Sequence, residues 1–432
     1  MFWEKDIETI GRDQLKALQL ERLQKTIETA AHSPFYRRLF AERGISPYDF
    51  KSTDDLQRIP VTTKDDLREG WPYGFLAVPK EEIVRMHSSS GTTGQATVIF
   101  HTQDDLDSWT NQLARCMYMA GMRQADVFQN MMTYALFTGG LGFHYGAEKL
   151  GAMVIPSGSG NSKRQIQLIL DFDTTAIHII PSYALHLTHV FEEMGVDPKK
   201  DTRLKMAFIG AEPHSEQIRG RIEDFYGIKA FNSYGLSEMS GPGVSFECTC
   251  QNGMHIWEDA YIVEIVDPDT LKPLPDGETG ELVMTTLCRR GMPILRYRTK
   301  DLTRIIPGVC PCGRTHRRIE RIKGRSDDMM ILKGVNIFPV QIEKKLMEIP
   351  GVGSNFLIIL ERKDFNDDMI LKVEVEREYF TGDLKKLENL RKTIVNEMKD
   401  DILITPHVDL VEPNSLPTTE GKAKRVIDNR KD

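Results

Sequence analysis

The stretch His87-Ser-Ser-Ser-Gly-Thr-Thr-Gly-Gln-Ala-Thr97 has the composition of a loop that wraps phosphate. Ser88, Ser89, Ser90, Thr92 and Thr93 offer hydroxyl and backbone donors, while Gly91 and Gly94 let the backbone come close to an anion. A Walker loop would place lysine after its last glycine, and here Gln95 follows Gly94. Any positive charge must come from elsewhere, and composition alone favours a plain surface loop. A second segment, Asn232-Ser233-Tyr234-Gly235-Leu-Ser-Glu238, adds a ring that could stack on a purine and a carboxylate that could hold magnesium. It is preceded by Gly210-Ala211-Glu212-Pro213, and followed by Tyr297-Arg-Thr-Lys-Asp301, whose aspartate suits ribose hydroxyls. Taken singly, Glu238 reads as a solvated or helix-capping carboxylate and Asp301 as a turn residue.

The six cysteines raise a separate question of chemistry. Cys116 and Cys288 stand alone, whereas Cys248-x-Cys250 with His255, and Cys310-x-Cys312, form two groups of soft ligands that neighbouring loops could bring to one tetrahedral zinc ion. The uneven spacing makes a poor disulfide framework. Buried free thiols are the competing reading.

These residues need a scaffold. Short apolar runs, DVFQNMM, GAMVIPSG, TTAIHIIPS and LKMAFIGAE, alternate with helix-like stretches such as SKRQIQLILDF and SEQIRGRIEDFYG. That alternation predicts an α/β sheet with both faces covered, with functional loops at the carboxyl ends of its strands. Ahead of it, residues 9–40 carry apolar side chains at helical spacing, and a helix is expected over Asp104–Met119. From about residue 260, YIVEIVD and GETGELVMT with the Pro275-Asp-Gly277 turn predict an antiparallel region. Gly324–Met330, GRSDDMM, is the candidate boundary, followed by a small α+β unit of one sheet backed by helices. Its expected elements are strands at 329–332, 354–361, 370–376 and 407–411 and helices at 339–348 and 383–399.

With 432 residues the chain is long enough for two to four domains. Its 56 basic and 63 acidic residues leave a net charge of -7, which gives no general attraction for nucleic acid or an acidic membrane. No apolar run reaches membrane-spanning length and no signal-peptide pattern opens the chain, so the expected address is cytoplasmic.

Taken in order, SSSGTTGQATV, FNSYGLSE, YRTKDL, KGRSDDMMILKGVNIFP and LPTTEGKAKR resemble the motifs of adenylate-forming acyl-CoA synthetases. LFTGGLGFHYGAE, CTCQNGMHIWEDAY and GRSDDMMILKGVNIFPVQIE narrow the resemblance to the phenylacetate-CoA ligase family, and it covers nearly the whole chain. The resemblance implies a large AMP-binding domain over 1–326 and a small mobile α+β domain over 327–432. It implies ATP-driven activation of an aromatic acid as an acyl-adenylate, with pyrophosphate released, then displacement of AMP by the thiol of coenzyme A.

Carried onto this chain, Ser88 to Gly94 would wrap the β and γ phosphates, and Tyr234 would lie near adenine. Glu238 would hold magnesium, Asp301 the ribose, and Ala211, Glu212 and Pro213 would wall the nucleotide and acyl group. Lys422, at the end of Pro417-Thr-Thr-Glu-Gly-Lys422, would supply the missing positive charge, with Lys424 an exposed neighbour. Asp327 matches the hinge, Arg325 a nucleotide contact beside it, and Gly334 the coenzyme A channel. Tyr134, Phe137, Gly139 and Gly140 are candidates for the acyl pocket. The run MTYALFTGG departs from the family pattern before LFTGG, which leaves a related arylacetate or larger aromatic acid open. Similar proteins place a cysteine and a histidine in the first loop and a CxC pair in the second, which selects Cys248, His255, Cys310 and Cys312 over Cys250 for a structural zinc. A homodimer is a family-level expectation. Two other readings stand beside the ligase: an adenylyltransferase acting on an aromatic acid or deazaflavin cofactor without a thioester, and a non-catalytic, zinc-stabilised nucleotide-binding scaffold.

Overall fold

Strands Val127–Asn130, Met153–Ile155, Ala176–Ile179, Met206–Gly210 and Lys229–Leu236 alternate with helices Thr138–Leu150, Ser162–Asp171, Pro181–Glu193 and Glu216–Tyr226 in the computed structural model of the chain. It describes residues 1–89, 96–332, 335–363, 366–380, 382–413, 415–416 and 425–430. The five strands pair in parallel, and helices cover both faces, so the interior strands are buried; every residue of Ala176–Ile179 and Met206–Gly210 is buried. Val127–Asn130 lies between Met153–Ile155 and Ala176–Ile179, so the chain reverses its winding there and opens a crevice at the strand ends.

The antiparallel region begins earlier than the sequence suggests. Lys229–Leu236 turns back into Gly241–Glu247, and Met254–Ile256, Arg318–Ile319 and Ile305–Ile306 extend the same sheet to nine strands. A second, four-stranded antiparallel sheet joins Tyr261–Val266, Gly280–Thr286, Tyr297–Thr303 and Gly324–Arg325. Asp301, expected on a turn, therefore sits on a strand. A two-stranded hairpin, Arg85–Ser88 with Val98–His101, flanks residues 90–95.

Residues 9–40 do not form one helix. Pro34 starts a new one, Pro34–Arg43, because it cannot donate within a preceding helix, and the Ser33 hydroxyl accepts the Tyr36 amide as its cap.

After the Gly324–Arg325 strand the chain forms a hairpin, Met330–Leu332 with Val335–Ile337, and a sheet ordered His407–Val411, Asn366–Val375, Val352–Lys363, Val426–Asp428. The single expected sheet is thus two, and Val426–Asp428 is a strand that too few residues signal. Helices Pro339–Glu348 and Leu384–Ile402 back it. One apolar cluster runs from Ile218 and Ile222 of the first unit into Ile342, Leu346 and Phe356 of the second, so the two share a core contact. No described helix is long and apolar enough to cross a membrane.

Candidate active site

Tyr234, Glu238, Asp301 and Arg325 converge although nearly a hundred residues separate the first from the last. Tyr234 rides on Lys229–Leu236, and its hydroxyl donates to Asp301 Oδ2 at 2.6 Å. Burial, reinforced by the Asp301 charge, pushes the Tyr234 phenol well above its ordinary range, so it stays a donor. Arg325 Nη1 approaches the other oxygen, Asp301 Oδ1, at 3.4 Å, and its Nε and Nη2 clasp Asp327, each at 2.9 Å. Asp301 is thereby oriented from two sides.

Gly235 permits the tight return into the next strand: a Cβ there would lie 2.0 Å from the Gly241 carbonyl oxygen. The return delivers Glu238 in a short 3-10 turn, Ser237–Met239, with the carboxylate buried. Thr97 Oγ1 donates to Glu238 Oε1 at 3.3 Å, and Tyr297 hydrogen-bonds the same carboxylate. Arg289 donates to the Glu238 carbonyl. Ser89 Oγ accepts from the Thr97 amide at 3.0 Å, which fastens the described start of the Ser/Thr/Gly loop beside Glu238.

The wall of the crevice is the loop after Met206–Gly210. Ala211 has φ 66°, a left-handed conformation that costs an L-residue about 1–2 kcal/mol. Glu212 Oε1 accepts the Ser182 amide at 2.6 Å, at the start of helix Pro181–Glu193. Asn232 and Ser233 are buried within their strand, where the Asn232 amide donates to Glu247 at 2.8 Å. Ser90, Gly91, Thr92, Thr93, Gly94, Gly334 and Lys422 lie outside the described residues.

Residues 134–137 and the first turn of helix Thr138–Leu150 follow the end of strand Val127–Asn130 at the winding reversal. Asn130 Nδ2 donates to Tyr134 Oη at 2.9 Å and to the Gly140 carbonyl at 2.7 Å, and Asn130 Oδ1 faces His178 Nδ1 at 3.0 Å. Tyr134 Oη also meets His144 Nδ1 at 3.2 Å. The ring of Tyr134 is therefore held by its hydroxyl, while Phe137 is exposed and Gly139 half-buried. Ser88 N and His87 Nδ1 both approach the Leu136 carbonyl, at 3.0 and 3.1 Å, tying this loop to the Ser/Thr/Gly loop.

At the far edge of the sheet, the ligand atoms of Cys248, His255, Cys310 and Cys312 lie within 4.8 Å of one another. Cys248 Sγ and Cys310 Sγ are 3.6 Å apart, and Cys312 Sγ is 3.3 Å from His255 Nε2. Zn–S bonds of about 2.3 Å at tetrahedral angles require sulfurs about 3.8 Å apart, so the set fits zinc. His255 Nδ1 faces the His316 carbonyl at 3.0 Å, which fixes the tautomer that leaves Nε2 free to ligate. Cys250 is exposed and outside the cluster.

Thr97, Ser182, Asn130, Tyr297 and Arg289 were not singled out from sequence. Two had a signal: Thr97 closes the loop motif and Tyr297 opens the one ending in Asp301. The others are common residue types whose partners lie far away in the chain.

A crevice at the carboxyl ends of parallel strands, lined by a tyrosine hydrogen-bonded to an aspartate, an arginine on that same aspartate and a buried carboxylate, has the architecture of a nucleotide-binding enzyme. In agreement, residues 43–288 match the AMP-binding enzyme family and residues 334–430 the AMP-binding enzyme C-terminal domain. The chain is 44% identical to the phenylacetate-coenzyme A ligase of Thermus thermophilus over 446 residues, 100% of each chain. It is 43% identical to that of Escherichia coli, covering 98% of this chain and 97% of the relative. The chain belongs to the phenylacetate-coenzyme A ligase family. Among solved structures, 2-hydroxyisobutyryl-CoA ligase in its postadenylation state, bound to an acyl-adenylate, matches with TM-score 0.94 at 33% identity, covering 99% of this chain and 92% of that one. The same ligase in its thioesterification state, with acyl-adenylate and coenzyme A, matches at only 0.74, with 34% identity over 100% and 93% of the two chains. The arrangement described here is thus much nearer the former.

Proposed function

We propose that the chain activates phenylacetate or a related arylacetate with ATP and transfers it to coenzyme A. The observation that carries this reading is the convergence of Tyr234, Glu238, Asp301 and Arg325 at the strand ends, in a chain similar to phenylacetate-coenzyme A ligases over its full length. In the first half-reaction the acid's carboxylate oxygen attacks the α-phosphorus, and the bond to the leaving pyrophosphate breaks. In the second, the thiol of coenzyme A loses its proton and attacks the acyl carbonyl, and AMP leaves.

In this reading Asp301 accepts from the ribose hydroxyls, Tyr234 packs near adenine, and the loop from Ser88 to Gly94 wraps the phosphates. Arg325 acts as a nucleotide contact and Lys422 stabilises charge at the α-phosphate. Glu238 is the residue placed to hold magnesium, which would offset phosphate charge when bound. The 1–326 unit binds the substrates, and the 327–432 unit closes on it and then rotates about Asp327 to bring Gly334 to the coenzyme A path. Tyr134, with its hydroxyl held by Asn130, presents a ring to the acyl group, as do Phe137 and the glycines beside it.

Cys248, His255, Cys310 and Cys312 would hold a structural zinc ion, since four protein ligands leave no open position for substrate. A cytoplasmic address and a homodimer complete the reading, checked by fractionation and by light scattering.

The test is a panel of aryl and alkyl acids with ATP, magnesium and coenzyme A. Arylacetate-dependent AMP, pyrophosphate and thioester are expected; ADP and phosphate, or no acid-dependent AMP, would sink the reading. AMP release that ignores coenzyme A, with no thioester by mass spectrometry, would point to the adenylyltransferase instead.

A further inference from the structure

Glu343 belongs to the small unit but is buried against the large one. It lies on helix Pro339–Glu348, is only 5% exposed, and its Oε1 accepts the Ser215 amide at 2.9 Å. Ser215 caps helix Glu216–Tyr226, whose amino end carries partial positive charge. The same residue ends the Ala211–His214 wall of the crevice, so the grip falls on the loop that would line the nucleotide. Around it the junction is closed by the apolar cluster of Ile218 and Ile222 with Ile342, Leu346 and Phe356, and by further hydrogen bonds: Gln217 Nε2 donates to Glu348 Oε1 at 3.0 Å, and Arg221 reaches the Met347 and Val352 carbonyls at 3.3 and 3.5 Å. Glu343 also lines the cleft of about 790 Å³ between the units, together with Glu212, His214, Arg325 and Arg425.

We infer that Glu343 is a positioning residue for the first half-reaction, a latch that holds the small unit against the Ser215 amide while the acyl-adenylate forms and lets go before thioester formation. This rests on the proposed rotation between two arrangements. The latch suits its task because a carboxylic group accepts the amide in either protonation state, while its burial makes release depend on the proton. Burial pushes the Glu343 acid up to about 7; Glu212 adds to the rise, and Arg425, the Ser215 amide and Arg321 oppose it. His214, beside it, is kept neutral by burial, with its pKa pushed down to about 3.

The sign follows from linkage. Released into water, Glu343 returns toward an ordinary value of about 4.3. The latched arrangement therefore binds the proton better; its advantage is complete below about pH 4 and is lost as pH rises through about 7.

The experiment measures the half-reactions separately: acid-dependent pyrophosphate release, and thioester formation from supplied acyl-adenylate. Glu343→Ala is expected to slow the first by roughly ten- to hundredfold, the range for a hydrogen bond to a charged group, and to leave the second unchanged. Glu343→Gln, whose carbonyl still accepts the Ser215 amide, is expected to restore most of the first. The wild-type rate of pyrophosphate release, divided by that of Glu343→Gln, should fall several-fold between about pH 6 and about pH 8. Equal loss of both half-reactions in Glu343→Gln, or no change in either for Glu343→Ala, overturns the latch. Should Glu343→Ala fail to fold, Glu343→Gln decides through the pH ratio, and a flat ratio overturns it. A wild type with no acid-dependent pyrophosphate release would instead remove the functional reading beneath it.

Discussion

The two ends of the nine-stranded sheet treat buried polar groups in opposite ways. At the cysteine end, buried charges are paired: Glu258 with Arg12 and Arg317 at 2.6 and 2.7 Å, Arg115 with Asp259 at 2.8 Å, and Arg314 with Glu8 at 2.6 Å. At the catalytic end, His87 Nε2, both nitrogens of His101, His214 Nε2, and Arg289 Nε and Nη2 are buried and find no hydrogen-bond partner among the described residues. Leaving a buried group unsatisfied would cost about 1–3 kcal/mol, so these are groups for water or a bound ligand to satisfy, whereas the paired end supplies its own partners. The difference separates a region built to stay closed from one that must accept ligand and change partners.

Removing Lys422 should break the comparison most sharply. Lys422→Ala is expected to slow acyl-adenylate formation by about 10²–10³-fold, the usual loss for a charge-stabilising donor, while Tm stays within about 1 °C. Thioester formation from supplied acyl-adenylate should persist. Pyrophosphate release and a thermal melt on the same preparation check both halves, and an equal loss of the two half-reactions would deny the lysine its separate role.

The opposite pattern is expected from Cys310→Ser. Loss of one ligand to the proposed zinc should remove about 3 kcal/mol, lowering Tm by roughly 3–4 °C, with turnover per folded molecule changed less than about twofold. Metal analysis of the purified protein should find about one zinc per wild-type chain and much less in the variant. A variant that keeps its Tm and loses turnover would place the cysteines in the chemistry.

Much of this contrast was legible in the residue order, and the illegible part has a common physical cause. Tyr234, Glu238 and Asp301 announce themselves because their motifs are short and ordered, and alternating apolar runs and helix-like stretches specify a covered parallel sheet. Glu343 does not announce itself. On an amphipathic helix it reads as one more solvated carboxylate, and it is buried by another unit entirely. His101 and Arg289 are hidden for the same reason, since burial is a property of the assembled fold. Asp301 by itself reads as a turn residue because the strand that holds it, Tyr297–Thr303, is rich in charge, and those charges are kept there by pairing: Arg298 with Glu281 at 2.7 Å, and Asp301 with Arg325.

Within the catalytic end, Asp301→Ala should weaken nucleotide binding by about 2 kcal/mol, raising KM for ATP roughly thirtyfold with a smaller change in KM for the acid. The variant also strips Tyr234 and Arg325 of their shared acceptor. Restoring the acceptor with Asp301→Asn should recover part of the loss; equal increases in both KM values would show a general distortion of the crevice.

The smallest effect distinguishes pairing that supports the fold from pairing that tunes a ligand. Tyr297 is buried and its hydroxyl bonds the Glu238 carboxylate, so it resembles the cysteine end in being satisfied. Yet its partner is the residue proposed to hold magnesium. Tyr297→Phe keeps the ring and its packing and removes one donor, which should cost about 1 kcal/mol. If that bond only stabilised the fold, the cost would appear as a lower Tm. If it orients the carboxylate, Glu238 would be left with the Thr97 hydroxyl as its described side-chain donor, at 3.3 Å, and the magnesium concentration for half-maximal adenylation should rise about fivefold. The second outcome is expected, because Glu238 is held on the main-chain side by Arg289 and keeps its place without the phenol. A magnesium titration beside a thermal melt separates the two, and a Tm loss with an unshifted titration would move Tyr297 to the structural side of the comparison.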